Sequence, residues 1–218
     1  MRWIFALLAI AVSALVIMPI RYRYLYEKHR CAELTLKVIP TLICAAFAAW
    51  GFFGSSGDRY ALLVLIALVI CAAGDVVLGI RFAAGGALFL TGHLFYISAF
   101  LTQQTLSLWN GLMFVVALIG LWLFCQRYRP LIKSRLISYG ILLYSAALAV
   151  VLCLSLPLPF ITLSERTVLA AVGAVLFVIS DMGVCHSILA NTSKRYSFFM
   201  LGVYYLAQLC LGMSAFGG

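Results

Sequence analysis

Two aspartates stand inside apolar stretches of this chain: Asp75 in ICAAGDVVLGI (70–80) and Asp181 in LFVISDMGVC (176–185). A pair of carboxyl groups in an apolar setting is equipment for acid–base catalysis. One carboxyl delivers a proton while the other stays ionised and stabilises the cation that forms. Further polar side chains share such settings: Lys37 in LKVIPTL, His93 and Tyr96 in LTGHLFY, and Tyr204 and Gln208 in VYYLAQ.

A structural reading competes for each of them. The aspartates are also explained as buried staples held by a hydroxyl, a lysine or backbone. His93 alone is ordinary packing, Lys37 can snorkel to the surface, and Tyr96, Tyr139 and Tyr144 can be packed tyrosines with satisfied hydroxyls. Ionisable residues inside a membrane mark function by default, so two carboxylates at matching depth favour the catalytic reading. Metal chemistry finds little support. The three histidines are scattered without an HxxxH or Cys/His spacing, and no GxSxG elbow occurs. Cysteines are seven, an odd number without a CxxC, and read as small buried hydrophobes. No metal or cofactor is expected.

The elements that must position these residues follow from composition. Of 218 residues 66% are hydrophobic and 10% charged, and the mean hydropathy is +1.14. No soluble domain of this length buries so much apolar surface, whereas a bilayer solvates it. The sequence predicts an all-α polytopic membrane protein, a single domain over 1–218. Eight spans fit, at about 3–20, 34–53, 60–80, 84–103, 107–125, 135–156, 167–189 and 196–216. The first follows a lone Arg2 and precedes a basic segment, the reverse of a cleaved leader, so it is expected to be a retained helix. Asp75 and Asp181 fall on the third helix of each four-span half, the pattern of a parallel 4+4 duplication.

Charge predicts orientation. One set of loops holds Arg21, Arg23, Lys28, Arg30, Arg81, Arg127, Arg129, Lys133, Arg135, Lys194 and Arg195, while the other side has Arg2, Arg59 and Arg166. The positive-inside rule then puts both termini outside the cytoplasm. The compact loops point to a bacterial inner membrane. The net charge of +9 is a membrane-surface feature, because the basic residues cap spans and do not line a nucleic-acid groove. At 1.5 Å per residue, Lys37, Asp75, Asp181, His93, Tyr204 and Gln208 lie roughly 5, 8, 12, 13, 12 and 18 Å from the cytoplasmic face. They occupy one slab, and the outer half is expected to hold almost no such residues. A polar cavity open toward the inner leaflet is the expectation.

The segments LKVIPTL, AAGDVVLG, GALFLTGHLFYISAF, SYG, GAVLFVISD and VYYLAQ occur in the order seen in the YhhN family of membrane proteins, which includes the lysoplasmalogenases. The chain resembles that family over roughly residues 34–216. The resemblance implies hydrolysis of the vinyl ether of lysoplasmalogen to a fatty aldehyde and glycerophosphocholine or glycerophosphoethanolamine. It implies Asp75 and Asp181 as the GD and SD aspartates, and Lys37 as the lysine of the K-x-x-P pattern. His93 would be the span-4 histidine, Tyr204 and Gln208 the Tyr/Gln pair, and Tyr139 the third residue of a span-6 pattern, here preceded by Ser138 where alanine is expected. Tyr96 joins Lys37, His93, Tyr139, Tyr204 and Gln208 as an expected contact to the lysophospholipid.

Vinyl ether hydrolysis suits such residues. It needs a proton at the distal vinyl carbon, stabilisation of an oxocarbenium-like cation, and water, by the logic of a glycosidase. Either aspartate fits either role. The greater depth of Asp181 and the nearness of Lys37 to Asp75 favour Asp181 as the acid. Two other classes stay open: a proton-coupled transporter or lipid translocator using the same carboxylates, and a scaffold with polar staples.

Overall fold

A computed structural model of the chain describes residues 4–5, 20, 30–55, 57–131 and 135–216. Seven helices among them are long and apolar enough to cross a membrane: α1 Arg30–Gly54, α2 Arg59–Leu78, α3 Phe82–Leu101, α4 Leu108–Gln126, α5 Arg135–Ser155, α6 Glu165–Leu189 and α7 Lys194–Ser214. A single 3-10 turn, Arg129–Leu131, and a one-turn helix, Leu158–Ile161, lie in the connections, and no strand occurs among the described residues. These are the expected second to eighth spans. The expected first span, 3–20, lies almost wholly outside the described residues. At its start Phe5 is helical, and its ring meets Trp50 of α1 edge-on at 6.1 Å.

Helices α2, α6 and α7 begin where polar side chains can take the free N–H groups of a first turn. Asp58 accepts from the amide of Tyr60 at 3.0 Å. Ser164 and Thr167 form a reciprocal capping box on α6, and Ser193 accepts from the amide of Tyr196 on α7. These caps pull α6 and α7 two residues ahead of the starts at 167 and 196 expected from hydropathy, which is blind to capping hydroxyls.

Helices α1, α2, α3, α5, α6 and α7 pack in that order as a closed ring, each against the next and α7 back against α1. Helix α4 stands outside and packs chiefly on α5; of its residues only Asn110 and Leu121 are buried. Close approach within the ring depends on missing side chains. A Cβ on Gly212 would fall 2.6 Å from the carbonyl oxygen of Cys44, and one on Gly85 would collide with the backbone of Leu78. Small residues let apolar helices meet backbone to backbone where lipid offers no hydrophobic incentive to associate.

The two ends of the ring differ. Arg81, Arg127, Arg129, Arg135, Lys194 and Arg195 follow or open helices at one end. At the other, Arg166 is paired with Asp58, its guanidinium lies 4.6 Å over the Tyr60 ring, and the Tyr60 hydroxyl shares a 2.8 Å hydrogen bond with Ser214. Arg166 is buried. The end expected to form the outer half is therefore less bare than the sequence suggested. A half-buried ion pair sits there, made by two residues that the loop boundaries had assigned to water.

Candidate functional site

Asp75 lies three residues before the end of α2 and is 1% exposed. A carboxylate so placed needs partners, and three helices supply them. From α1, Lys37 Nζ stands 3.3 Å from Oδ1 and also donates to the Asp75 carbonyl at 3.2 Å. Thr41, one turn further along the same face, donates its hydroxyl to Oδ2 at 2.8 Å. From α7, the Tyr204 hydroxyl donates to the same oxygen at 2.9 Å.

Behind Tyr204 the donors run in series. Gln208 Nε2 donates to the Tyr204 oxygen at 2.9 Å, and the Tyr96 hydroxyl of α3 donates to Gln208 Oε1 at 2.7 Å. Every proton in this chain points toward Asp75. The Lys37 backbone is held too: Tyr205 donates to its carbonyl at 2.7 Å, one turn before Pro40, which has no N–H to give the helix ladder.

Asp181 sits about two-thirds of the way along α6 in thinner company. Its Oδ2 accepts from the Tyr144 hydroxyl of α5 at 2.6 Å and lies 3.6 Å from His93 Nε2 of α3. Its side chain is 14% exposed, against 2% for Asp75. His93 is fully buried, with Nδ1 2.6 Å from the Phe89 carbonyl, and Nε2 has no hydrogen-bond partner among the described residues.

Phe177 partitions the two clusters. Its ring packs edge-on to His93 at 4.8 Å and to Tyr204 at 5.6 Å, and Phe89 packs against both Phe177 and Tyr204. No hydrogen bond links the two carboxyls among the described residues; they face one aromatic wall from separate sides.

All six ring helices contribute a polar group, and α4 contributes none. Lys37, Asp75, Tyr96, Tyr204 and Gln208 come together in one cluster, and His93 and Asp181 in the other. Tyr139 joins neither. It is 68% exposed near the start of α5, and the tyrosine of that helix that reaches a carboxyl is Tyr144. Five residues turn a helix by about 140°, so the two tyrosines cannot share a face. Thr41 and Tyr205 were also missed as site residues. The spacing Lys37–Thr41 matched that of Tyr204–Gln208, four residues in each case, and was the signal for Thr41. Nothing local marked Tyr205.

Among the described residues no group of three or more His, Cys, Asp or Glu side chains is placed to hold a metal ion, and Cys44, Cys71, Cys125, Cys153, Cys185 and Cys210 are free thiols.

The model of the family described as YhhN matches residues 32–215. The chain belongs to the YhhN family. The match covers α2 to α7 entire and nearly all of α1, so both polar clusters lie within the YhhN region. No curated protein and no solved structure matches this YhhN chain.

Proposed function

We propose that this protein is a membrane-embedded hydrolase that cleaves the vinyl ether bond of a lysoplasmalogen, releasing a fatty aldehyde and a glycerophosphodiester. The observation that carries the reading is the unequal furnishing of two buried carboxyls inside one helical ring. Membership of the YhhN family supports the reaction class.

In this reading Asp75 stays ionised. An ammonium and two hydroxyl donors surround it, and charge-assisted hydrogen bonds to a carboxylate stabilise that form. Its charge, fixed by Lys37, Thr41 and Tyr204, sets the field of the site. Asp181 is the acid. It has one firm donor and the more accessible carboxyl, and it lies where a substrate meets it first.

The reaction then balances in three steps. A proton from Asp181 adds to the vinyl carbon distal to the ether oxygen, and the π electrons leave an oxocarbenium cation at the proximal carbon. Water adds to that carbon and returns a proton to Asp181. The hemiacetal collapses to aldehyde and free glycerol hydroxyl. The aromatic wall of Phe89, Phe177 and Tyr204 offers π faces to the transient cation. Lys37 and the basic end of the ring suit the phosphodiester of the headgroup, and the alkenyl chain stays among apolar helices.

The reading includes eight spans, with the first formed by 3–20, and both termini outside the cytoplasm, which puts the clusters in the inner-leaflet half of a bacterial inner membrane. A four-plus-four duplication would relate α2 to α6, and the mechanism does not depend on it.

Aldehyde release from purified protein given lysoplasmalogen tests the proposal, with Asp75→Asn and Asp181→Asn in parallel. Release by the wild type that is lost in folded variants is the expected result. A well-folded wild type that releases no aldehyde ends this reading and brings forward a proton-coupled transporter.

A further inference from the structure

The environment of His93 goes further than the assignment of Asp181 as an acid. A backbone carbonyl only accepts, so the 2.6 Å contact to Phe89 fixes a proton on His93 Nδ1. That leaves Nε2 as the ring's variable position. It is buried, it has no hydrogen-bond partner among the described residues, and Asp181 Oδ2 stands 3.6 Å away. A buried polar atom of this kind among aromatic rings calls for an explanation.

Three occupancies exist for the space between Nε2 and Oδ2. With no proton, a lone pair faces a carboxylate and the cluster carries one negative charge. With two protons, an imidazolium faces a neutral acid and the cluster carries one positive charge. With one proton the cluster is neutral, whether the proton sits on oxygen or on nitrogen. The surroundings are the rings of Phe177 at 4.8 Å and Tyr144 at 5.3 Å, and uncompensated charge in such surroundings costs several kcal/mol.

The titratable groups that act on Asp181 from the packed helices are Tyr144 on α5, Asp75 and Cys71 on α2, and Cys185 on α6 itself. Of these Asp75 is already balanced by Lys37. None supplies a cation to Asp181.

We infer that His93 and Asp181 hold a single proton in common, so that the acid of the site is the His93–Asp181 couple, with His93 as a positioning residue that stores the proton and Tyr144 fixing the carboxyl. The inference rests on the proposed hydrolysis for its catalytic meaning, and on geometry alone for the shared proton. In the reaction the couple gives its proton to the distal vinyl carbon, becomes singly negative, and is restored by the proton that the attacking water releases.

The test is selective 15N-histidine labelling of the detergent-solubilised protein. The chain has three histidines, and His93→Gln assigns the resonances of His93. In wild type the Nε2 resonance should lie away from that of a bare imine-type nitrogen. In Asp181→Leu, which offers Nε2 no proton, it should move to the bare position, while the resonances of His186, held by Tyr128 at 2.6 Å, stay in place. A His93 Nε2 resonance identical in wild type and Asp181→Leu overturns the inference. Where Asp181→Leu does not fold, the pH–rate profile decides. In His93→Gln its descending limb should be displaced by at least about one pH unit, and an undisplaced limb overturns the shared proton. Absent aldehyde release from wild type defeats the proposed hydrolysis separately, since the 15N result needs no turnover.

Discussion

Asp75 and Asp181 are the same residue type in the same kind of apolar helix, yet the ring treats them differently. Asp75 is closed in by Lys37, Thr41 and Tyr204, with Gln208 and Tyr96 behind them. Asp181 has Tyr144 and an under-satisfied histidine. A buried carboxyl must be neutralised somehow, and in the proposed reading the means differ: a cation fixed to α1 for one, a proton for the other. A lysine cannot leave and a proton can. The first arrangement therefore suits a standing electrostatic field and the second suits chemistry.

The sharpest way to break this comparison is to remove each carboxyl's charge in turn. Asp181→Asn keeps volume and an acceptor for Tyr144, so the fold should survive while kcat drops by about 10²–10⁴, the usual worth of a positioned general acid. Aldehyde release together with a melting curve reads both at once. A variant that loses stability and keeps rate would reverse the roles.

Asp75→Asn should fail in the other currency. It strands Lys37 beside a neutral amide, and breaking a buried pair from one side costs about 3–5 kcal/mol. The lower end applies here because Lys37 is 15% exposed and its stem can carry the charge outward. Adding Lys37→Met should recover most of the lost thermal stability without recovering activity. Equal instability in the single and double variants would show that the pair is not what holds Asp75.

A smaller effect sharpens the picture behind Asp75. Tyr204→Phe removes the hydroxyl that donates to Asp75 and accepts from Gln208, leaving a buried amide donor without its acceptor. About 1–3 kcal/mol of destabilisation is expected by chemical denaturation. The smallest effect belongs to Tyr139. Its ring is exposed, so Tyr139→Phe should change stability by less than about 0.5 kcal/mol and leave aldehyde release as it is. A clear loss of activity would return it to the site.

How much of this was legible in the sequence depended on the distance over which each property is set. The seven helices fall within a few residues of their expected positions, because transfer of apolar residues is a sum over a local window. At Glu165 and Lys194, each two residues earlier than expected, a serine cap begins the helix. The slab of polar residues was equally legible, since depth along a helix is residue count times rise. Rotation was not. Tyr139 and Tyr144 are the same residue type five residues apart on α5, and packing against α6 selects Tyr144. Depth alone had already set Lys37 near Asp75, but the pairing of His93 with Asp181 and of Tyr204 with Asp75 was invisible for the same reason, and so was the draw of Arg166 toward Asp58.

The sequence by itself determined that the chain is built of membrane-crossing helices and that its polar residues gather near the basic end. Both are one-dimensional properties, additive along the chain. Tertiary structure alone brought a histidine to Asp181, gave Asp75 its two hydroxyl donors, and set Phe177 between the two clusters. Each residue turns a helix by about 100°, so a side chain's partner is fixed only when six helices settle their rotations against one another.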